Sequence, residues 1–296
     1  MSIVEHRIRW ITVSLALIAI GVAFLAFNVI SGKGAFSYDV EFTGGTDMSI
    51  NIGKPFENND INAVIVDTLG IEGSQIQKVL GSNQVAIKMK SIDSEQRAKL
   101  TAAFKEKYAL NDDVFSIDDI SGSISREMQV TAIQAVLAAC AGILIYVTIR
   151  FRDWRMGLSA ILALTHDSIL VILSYAVFRI PLNYSFIAAI LTILGFSINA
   201  TIIVFDRLRE NRKLMRRPPL DALVNASVTQ TIKRCVYTSV TVLIATVSLY
   251  VVGVASVKDF MLPIAIGIIV GTYSSVFVSG SLYFMMSSNN KKPKAA

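Results

Sequence analysis

Charge is scarce in this sequence. Only 17% of its 296 residues are Asp, Glu, Lys or Arg, about a third fewer than in a typical soluble domain. So thin an ionic surface excludes an ordinary soluble fold. A hydrophobic share of 53% and a mean hydropathy of +0.56 exclude a disordered chain or a fibrous repeat. Cysteine is nearly absent: Cys140 and Cys235 alone cannot build a disulfide scaffold or a Cys-rich metal site. Histidine is equally rare, and His6 and His166 leave no imidazole cage for zinc. No metal ion or organic cofactor is expected.

What the sequence has instead is long apolar runs. A hydrocarbon core roughly 30 Å thick needs about 20 apolar residues to cross it, and six stretches qualify: 8–30, 130–149, 156–178, 184–205, 236–254 and 260–284. The first follows Arg7 and Arg9 as a secretory signal would. Its apolar run is longer than a usual signal core, and no small-x-small cleavage site precedes Lys33, so it reads as a retained span.

Loop charge orients these spans. Arg7, Arg9, Arg150, Arg152, Arg155, the cluster from Arg207 to Arg217, Lys233, Arg234 and the tail Lys291, Lys292 and Lys294 share one side. The opposite short loops carry only Arg179 and Lys258. The positive-inside rule then puts both termini in the cytoplasm and residues 31–127 outside. That segment holds ten Lys/Arg against fifteen Asp/Glu, a net charge near −5 in a chain of formal charge +6. An acidic water-soluble module thus interrupts a basic membrane part. Four regions follow: residues 1–30 (N-terminus and first span), 31–127 (outside module), 128–285 (five further spans) and 286–296 (basic cytoplasmic tail).

Within the module, residues 46–52 alternate, with Met48, Ile50 and Ile52 on one face. Residues 58–69 read as a helix capped by Asn58 or Asn59. Residues 75–80 and 85–89 read as a hairpin about Gly81-Ser82-Asn83. A second helix over 94–108 and a strand over 114–120 complete the order βαββαβ, a ferredoxin-like α+β arrangement. It contains no nucleophile–base pair, phosphate loop or metal-ligand spacing, so a binding or mechanical role is expected and no catalytic residue is assigned. Phe42-Thr43-Gly44-Gly45-Thr46, at the entry to the module, reads as a turn that needs glycine's positive φ.

Polar residues inside spans are the strongest functional pointers, because a charge at the bilayer centre costs at least about 2.5 kcal/mol. Asp167, beside His166, falls mid-way along the third span. It serves either as an interhelical hydrogen-bonding group or as a titrating one. Thr192, Gly195, Asn199, Ile202 and Asp206 share one face of the fourth span, and Arg234, Thr238, Thr241, Ala245 and Ser248 one face of the fifth. Small and hydroxyl residues favour close helix packing in lipid, as does Gly267-x-x-x-Gly271 in the last span. Arg234 either snorkels to the interface or balances charge. The basic segment 207–217 and the amphipathic stretch 220–228 suit either an anionic membrane surface or a cytoplasmic partner. Topology accounts for the basic residues, so nucleic acid is not expected as a partner.

The string Gly195-Phe-Ser-Ile-Asn-Ala-Thr-Ile-Ile-Val-Phe-Asp-Arg-Leu-Arg-Glu-Asn211 resembles the signature of the SecF family, membrane subunits accessory to the bacterial Sec protein translocase. Phe42, Gly44, Gly45 and Thr46, the triplet Thr165-His166-Asp167, residues 227–234 and residues 267–275 resemble further motifs of that family in the same order. So do Asp206, Arg207, Arg209, Glu210 and Asn211 within the string. The resemblance implies a half-transporter of the resistance–nodulation–division type, paired with SecD. It further implies that the pair uses the proton-motive force to help secreted chains leave the SecYEG channel after SecA has driven them through. One position departs from the pattern. Many family members carry Asp after the Asn of the signature, implicated in proton passage, and Ala200 stands here. The essential carboxylate is then expected in SecD, with His166, Asp167, Asn199 and Arg234 lining the polar pathway.

Two other classes are weighed. An ion-coupled small-molecule exporter of the same superfamily usually has two outside loops and about twelve spans in one chain. An intramembrane protease needs an H-E-x-x-H, a paired-Asp G-x-G-D or a Ser–His pair, and the spans carry none. The topology has a direct test. A cysteine in place of Lys90, in a background lacking Cys140 and Cys235, is expected to react with a membrane-impermeant maleimide in intact spheroplasts. Labelling only from the cytosolic side would invert the reading.

Overall fold

The computed structural model describes residues 2–71, 74–78, 83–215, 218–253 and 255–288. In chain order the elements are α1 (Arg7–Ile30), β1 (Ser37–Tyr38), α2 (Val40–Thr43), β2 (Gly45–Asn51), α3 (Asn58–Leu69), β3 (Gln75–Lys78), β4 (Gln84–Met89), α4 (Ser94–Tyr108) and β5 (Phe115–Ile120). They continue as α5 (Gly122–Phe151), α6 (Trp154–Phe178), β6 (Pro181–Leu182), α7 (Tyr184–Leu214), α8 (Leu220–Val252), α9 (Ala255–Tyr273), a π-helical turn (Ser274–Val278) and α10 (Ser279–Ser288). Among the described residues, six helical segments are long and apolar enough to cross a membrane.

The bundle has a centre and a periphery. In α6, α7 and the last span about half of the most apolar stretch is buried, and these helices pack on one another. Peripheral α1, α5 and α8 keep large apolar side chains such as Leu15, Phe27, Leu137, Ile145 and Ile244 exposed. Lipid is as apolar as leucine, so these side chains need no protein cover. Close approach at the centre depends on glycine. A Cβ on Gly267 would sit 2.5 Å from Ile193 Cδ1, and one on Gly271 3.1 Å from Ser197 Cβ. The glycine pair therefore seats α9 against α7, as its spacing suggests.

Three helices differ from their expected extents. α7 continues nine residues beyond 205 and carries the basic run outward as one rigid element. α8 joins the amphipathic stretch 220–228 and the span 236–254 into a single helix of 33 residues, about 50 Å long and so too long for the hydrocarbon alone. No glycine or proline interrupts residues 220–252 after Pro219 at the N-cap, so the chain has no reason to break there. The last span is not uniform: Pro263 lies inside α9, and the π turn separates it from α10. α5 begins at Gly122, inside the segment read as the outside module. Residues 81–82 of the expected hairpin turn, 216–217 of the basic run and 289–296 of the tail lie outside the described residues.

The module is a four-stranded sheet in the order β3-β4-β2-β5, every neighbouring pair antiparallel. Alternate residues Met48, Ile50, Val85, Ile87 and Met89 turn to one face and bury against Ile61, Ile65, Leu100 and Phe104 of α3 and α4. α4 starts with a full capping box between Asp93 and Gln96. α3 does not use the asparagines as caps. Glu57 holds the N-cap position without a side-chain bond, and Asn58 Nδ2 instead donates to the Ile76 carbonyl at 3.3 Å.

Several bonds tie the module to the bundle. β1 pairs with β6 in parallel, the Tyr184 N–H donates to Glu41 Oε2 at 2.6 Å, and Gln129 Nε2 donates to the Phe42 carbonyl at 2.7 Å. Gln77 Nε2 reaches Asp259 Oδ2 at 3.2 Å. At the centre of this junction, Lys88 Nζ lies 2.7 Å from Asp39 Oδ2 and 3.9 Å from both Glu41 and Asp47. Burial opposes the Lys88 charge, but the bond to Asp39 and the surrounding carboxylates outweigh it and hold its pKa above the ordinary lysine value. Burial raises the Asp47 pKa, with Lys88 pulling the other way. Asp39 is 2% exposed, so removing its partner strands a buried charge. Lys88→Met is expected to lower stability by about 3–5 kcal/mol, seen as a lower thermal midpoint in detergent, and adding Asp39→Asn should recover most of the loss.

Candidate functional site

Two polar centres lie on opposite faces of α7. The first is built on Asp167, half-way along α6 and 0% exposed. Its Oδ2 accepts from Ser197 Oγ of α7 at 2.5 Å and from Ser274 Oγ of the π turn at 2.7 Å. Its Oδ1 lies 2.9 Å from His166 Nδ1. The wider turn also brings Ser275 into the interface, where its hydroxyl meets Thr201 Oγ1 at 2.9 Å and donates to the Ser197 carbonyl at 3.1 Å. Such π turns favour functional positions, because they re-aim side chains without breaking the helix. The carboxylate is therefore held from three elements at the depth where no water or lipid group can replace them. His166 Nε2 is buried without a partner among the described residues. This geometry pairs the Asp167 carboxylate with one imidazole.

The second centre is a groove of about 500 Å³ between α7 and α8, lined by Asn199, Asp206, Arg207, Glu210, Gln230 and Arg234. Arg207 reaches Glu210 Oε2 and Gln230 Oε1, each at 2.6 Å. Asn211 Nδ2 donates to Ser227 Oγ at 2.9 Å and to Gln230 Oε1 at 2.8 Å. Asp206 lies 3.3 Å from Arg150 of α5, whose carbonyl accepts from Arg209 at 3.1 Å. The fourth-span signature thus clamps α7 to both neighbours. Asn199 and Arg234 face the groove with no side-chain hydrogen bond or ion pair among the described residues. Beyond them the outward stripe continues along exposed Thr192, Gly195, Thr238, Thr241 and Ser248.

The sequence candidates divide accordingly. Asn199, Asp206, Arg207, Glu210 and Arg234 share the groove, whereas His166 and Asp167 do not reach it. Asp167 therefore stands apart from the groove that Asn199 and Arg234 line, because Ser197 and Asn199 point from opposite faces of α7. Ala200 is buried in the apolar core. The glycine motif sits at the junction instead: Gly44, at φ +79°, ends α2, and a Cβ on Gly45 would lie 2.4 Å from the Met89 carbonyl. Thr46 is fully buried, donating to Asp119 Oδ1 at 2.7 Å and accepting from the Ile92 N–H at 3.3 Å. Ser197, Ser274 and Gln230 were not singled out from sequence, although each falls inside a motif that was. Among the described residues no group of three or more His, Cys, Asp or Glu side chains could hold a metal ion.

Fold and centres together define a multi-pass membrane protein whose spans enclose a hydrogen-bonded carboxylate and whose first loop carries a folded module. Residues 99–289 match the family model described as "Protein export membrane protein SecD/SecF, C-terminal". The chain is 34% identical over 97% of its length to the protein translocase subunit SecDF of Thermus thermophilus, of which it covers 39%. It is 32% identical over 95% of its length to the protein translocase subunit SecF of Thermodesulfovibrio yellowstonii, of which it covers 92%. A crystal structure of the Thermus SecDF, a translocon-associated membrane protein, superposes with a TM-score of 0.81 at 31% identity over 98% of this chain and 39% of that one. The chain belongs to the SecD/SecF family of protein export membrane proteins.

The first centre makes a stability prediction. Asp167→Leu leaves the buried Ser197 hydroxyl without its acceptor, at a cost of about 1–3 kcal/mol, and Ser274 with only the longer bond to the Gly271 carbonyl at 3.2 Å. Thermal unfolding in detergent should show a clearly lower midpoint for this variant, and Asp167→Asn, which keeps an acceptor oxygen, should stay near wild type.

Proposed function

We propose that this chain is the SecF half of an accessory unit of the bacterial Sec translocase, a non-catalytic subunit that pairs with SecD to assist protein export across the cytoplasmic membrane. The observation that carries this reading is the outward stripe of α7 and α8. Among the described residues Asn199 and Arg234 have no side-chain hydrogen bond or ion pair there, and a polar groove on the side of a membrane bundle is costly to leave against lipid. A second membrane half laid against this face satisfies them. Relatives support the same arrangement: the Thermus SecDF, whose name joins the two subunits, is more than twice as long as the stretch matched here.

In this reading both termini are cytoplasmic, and residues 31–127 form an extracytoplasmic ferredoxin-like domain, consistent with the strand order of its sheet. The domain receives the emerging unfolded polypeptide beyond SecYEG and SecA. The proton-motive force drives the cycle. SecD supplies the essential carboxylate that Ala200 does not, while Asn199 and Arg234 line the shared pathway. Asp167 and His166 form a hydrogen-bonded centre behind α7 that biases how this helix packs. The junction around Lys88 transmits that packing to the domain, because it bonds α2, β2 and β4 together and lies beside the start of α7.

Secretion in a strain depleted of this protein provides the test. Arg234→Ala is expected to impair rescue of export by about tenfold or more, with normal membrane levels, if one charge of the pathway is lost. Full rescue by the combination Asp167→Asn with Arg234→Ala would reject the pathway.

A further inference from the structure

At the bundle end opposite the sheet, a cavity of about 320 Å³ opens between the starts of α6 and α8, the end of α7 and α10. It plays no part in either polar centre. Its volume lies at the small end of ligand sites, which run from about 300 to about 1,000 Å³. Its chemistry is that of an anion site with an apolar flank.

The positive groups are Arg155 and Arg212. Arg212 is engaged: it donates to the Tyr283 hydroxyl, which in turn donates to Asp153 Oδ2 at 3.4 Å, and its own Nη1 lies 3.8 Å from that oxygen. Asp153 Oδ1 caps α6 by accepting the Arg155 N–H at 3.0 Å. The carboxylate on the rim is therefore already committed. The Arg155 guanidinium has no hydrogen bond or ion pair among the described residues. Ser287 points the same way: it is 7% exposed, lines the cavity, and its Oγ has no hydrogen-bond partner among the described residues. A buried hydroxyl without a partner is uncommon and asks for a bound group. The first turn of α8 borders the cavity with Pro219 at the N-cap and no side-chain cap, and its free N–H groups face the carboxylate of Asp221 in the same turn as well as the cavity, so the guanidinium of Arg155 remains the main positive charge. Leu220 and Leu223 supply the apolar flank.

We propose that this cavity binds the phosphodiester headgroup of an anionic phospholipid. Arg155 and Ser287 contact the phosphate oxygens, Arg212 adds charge from the rim, and the acyl chains run along Leu220 and Leu223 into the bilayer. The inference rests only on the six spans crossing a membrane, not on the Sec assignment. Four spanning helices end around the cavity, and exposed Trp154 stands at the start of α6, as aromatic residues do at headgroup level. Lipid therefore explains the apolar flank beside the cations, which free phosphate does not.

Native mass spectrometry of the full chain in non-ionic detergent tests the site, with dioleoylphosphatidylglycerol, dioleoylphosphatidylcholine and inorganic phosphate as probes. One phosphatidylglycerol should bind with about tenfold preference over phosphatidylcholine. Arg155→Ala should lower that affinity about tenfold, with Arg155→Lys retaining part of it. Ser287→Ala removes a hydroxyl that bonds nothing among the described residues, so its thermal midpoint should match wild type while its phosphatidylglycerol affinity falls about threefold. Equal phosphatidylglycerol binding by wild type, Arg155→Ala and Ser287→Ala would overturn the site. So would binding of inorganic phosphate without a preference for the anionic lipid.

Discussion

A bilayer offers no hydrogen-bond partners, and this constraint organises the whole chain. Each polar atom in the six spans must find a partner inside the protein, at the interface or on a neighbouring subunit. Asp167 takes the first course, with Ser197 and Ser274 donating from two other elements. Most serines and threonines of the spans bond a carbonyl one turn back, as Thr238 does to Arg234 at 2.9 Å. Among the described residues Asn199 and Arg234 do neither, and they lie on the face proposed to meet a second membrane half.

α7 is the wall between these two situations. Its inner face meets Gly267 and Gly271 of α9 and the Asp167 cluster, and its outer face forms the groove with α8. In the proposed reading a change in the bonding of Asp167 alters the seat of α7, the helix that also carries the groove and begins beside the junction with the module. Packed interfaces switch between discrete arrangements rather than deforming continuously, so one helix that touches all three places links them. The rigid clamp formed by Arg207, Glu210, Asn211 and Gln230 fixes the far end of that lever.

Local patterns carried much of this fold. The bounds of α3 and α4 follow from composition and spacing alone, as do six apolar segments and the alternation in β2 and β4. Helix continuity was harder: residues 220–228 and 236–254 look like two segments because hydropathy dips at Gln230–Arg234, yet the backbone has no reason to stop. The π turn left no local mark. The candidate site was legible as motifs but not as contacts. Periodicity gives the face of a residue on its own helix and not which helix that face meets. For that reason periodicity could not show that Asn199 and Arg234, on two helices, line one groove, that Asp167 lies across α7 from it, or that Ser197 and Ser274 meet its carboxylate.

The central claim is that the outer stripe of α7 and α8 meets protein and not lipid. Photo-crosslinking in the native membrane tests it most directly, with a benzophenone amino acid at position 241 on the stripe and at position 15 on the lipid-facing side of α1. A defined crosslinked membrane-protein band from position 241, absent from position 15, is the predicted result. Lipid adducts alone from both positions would contradict the account.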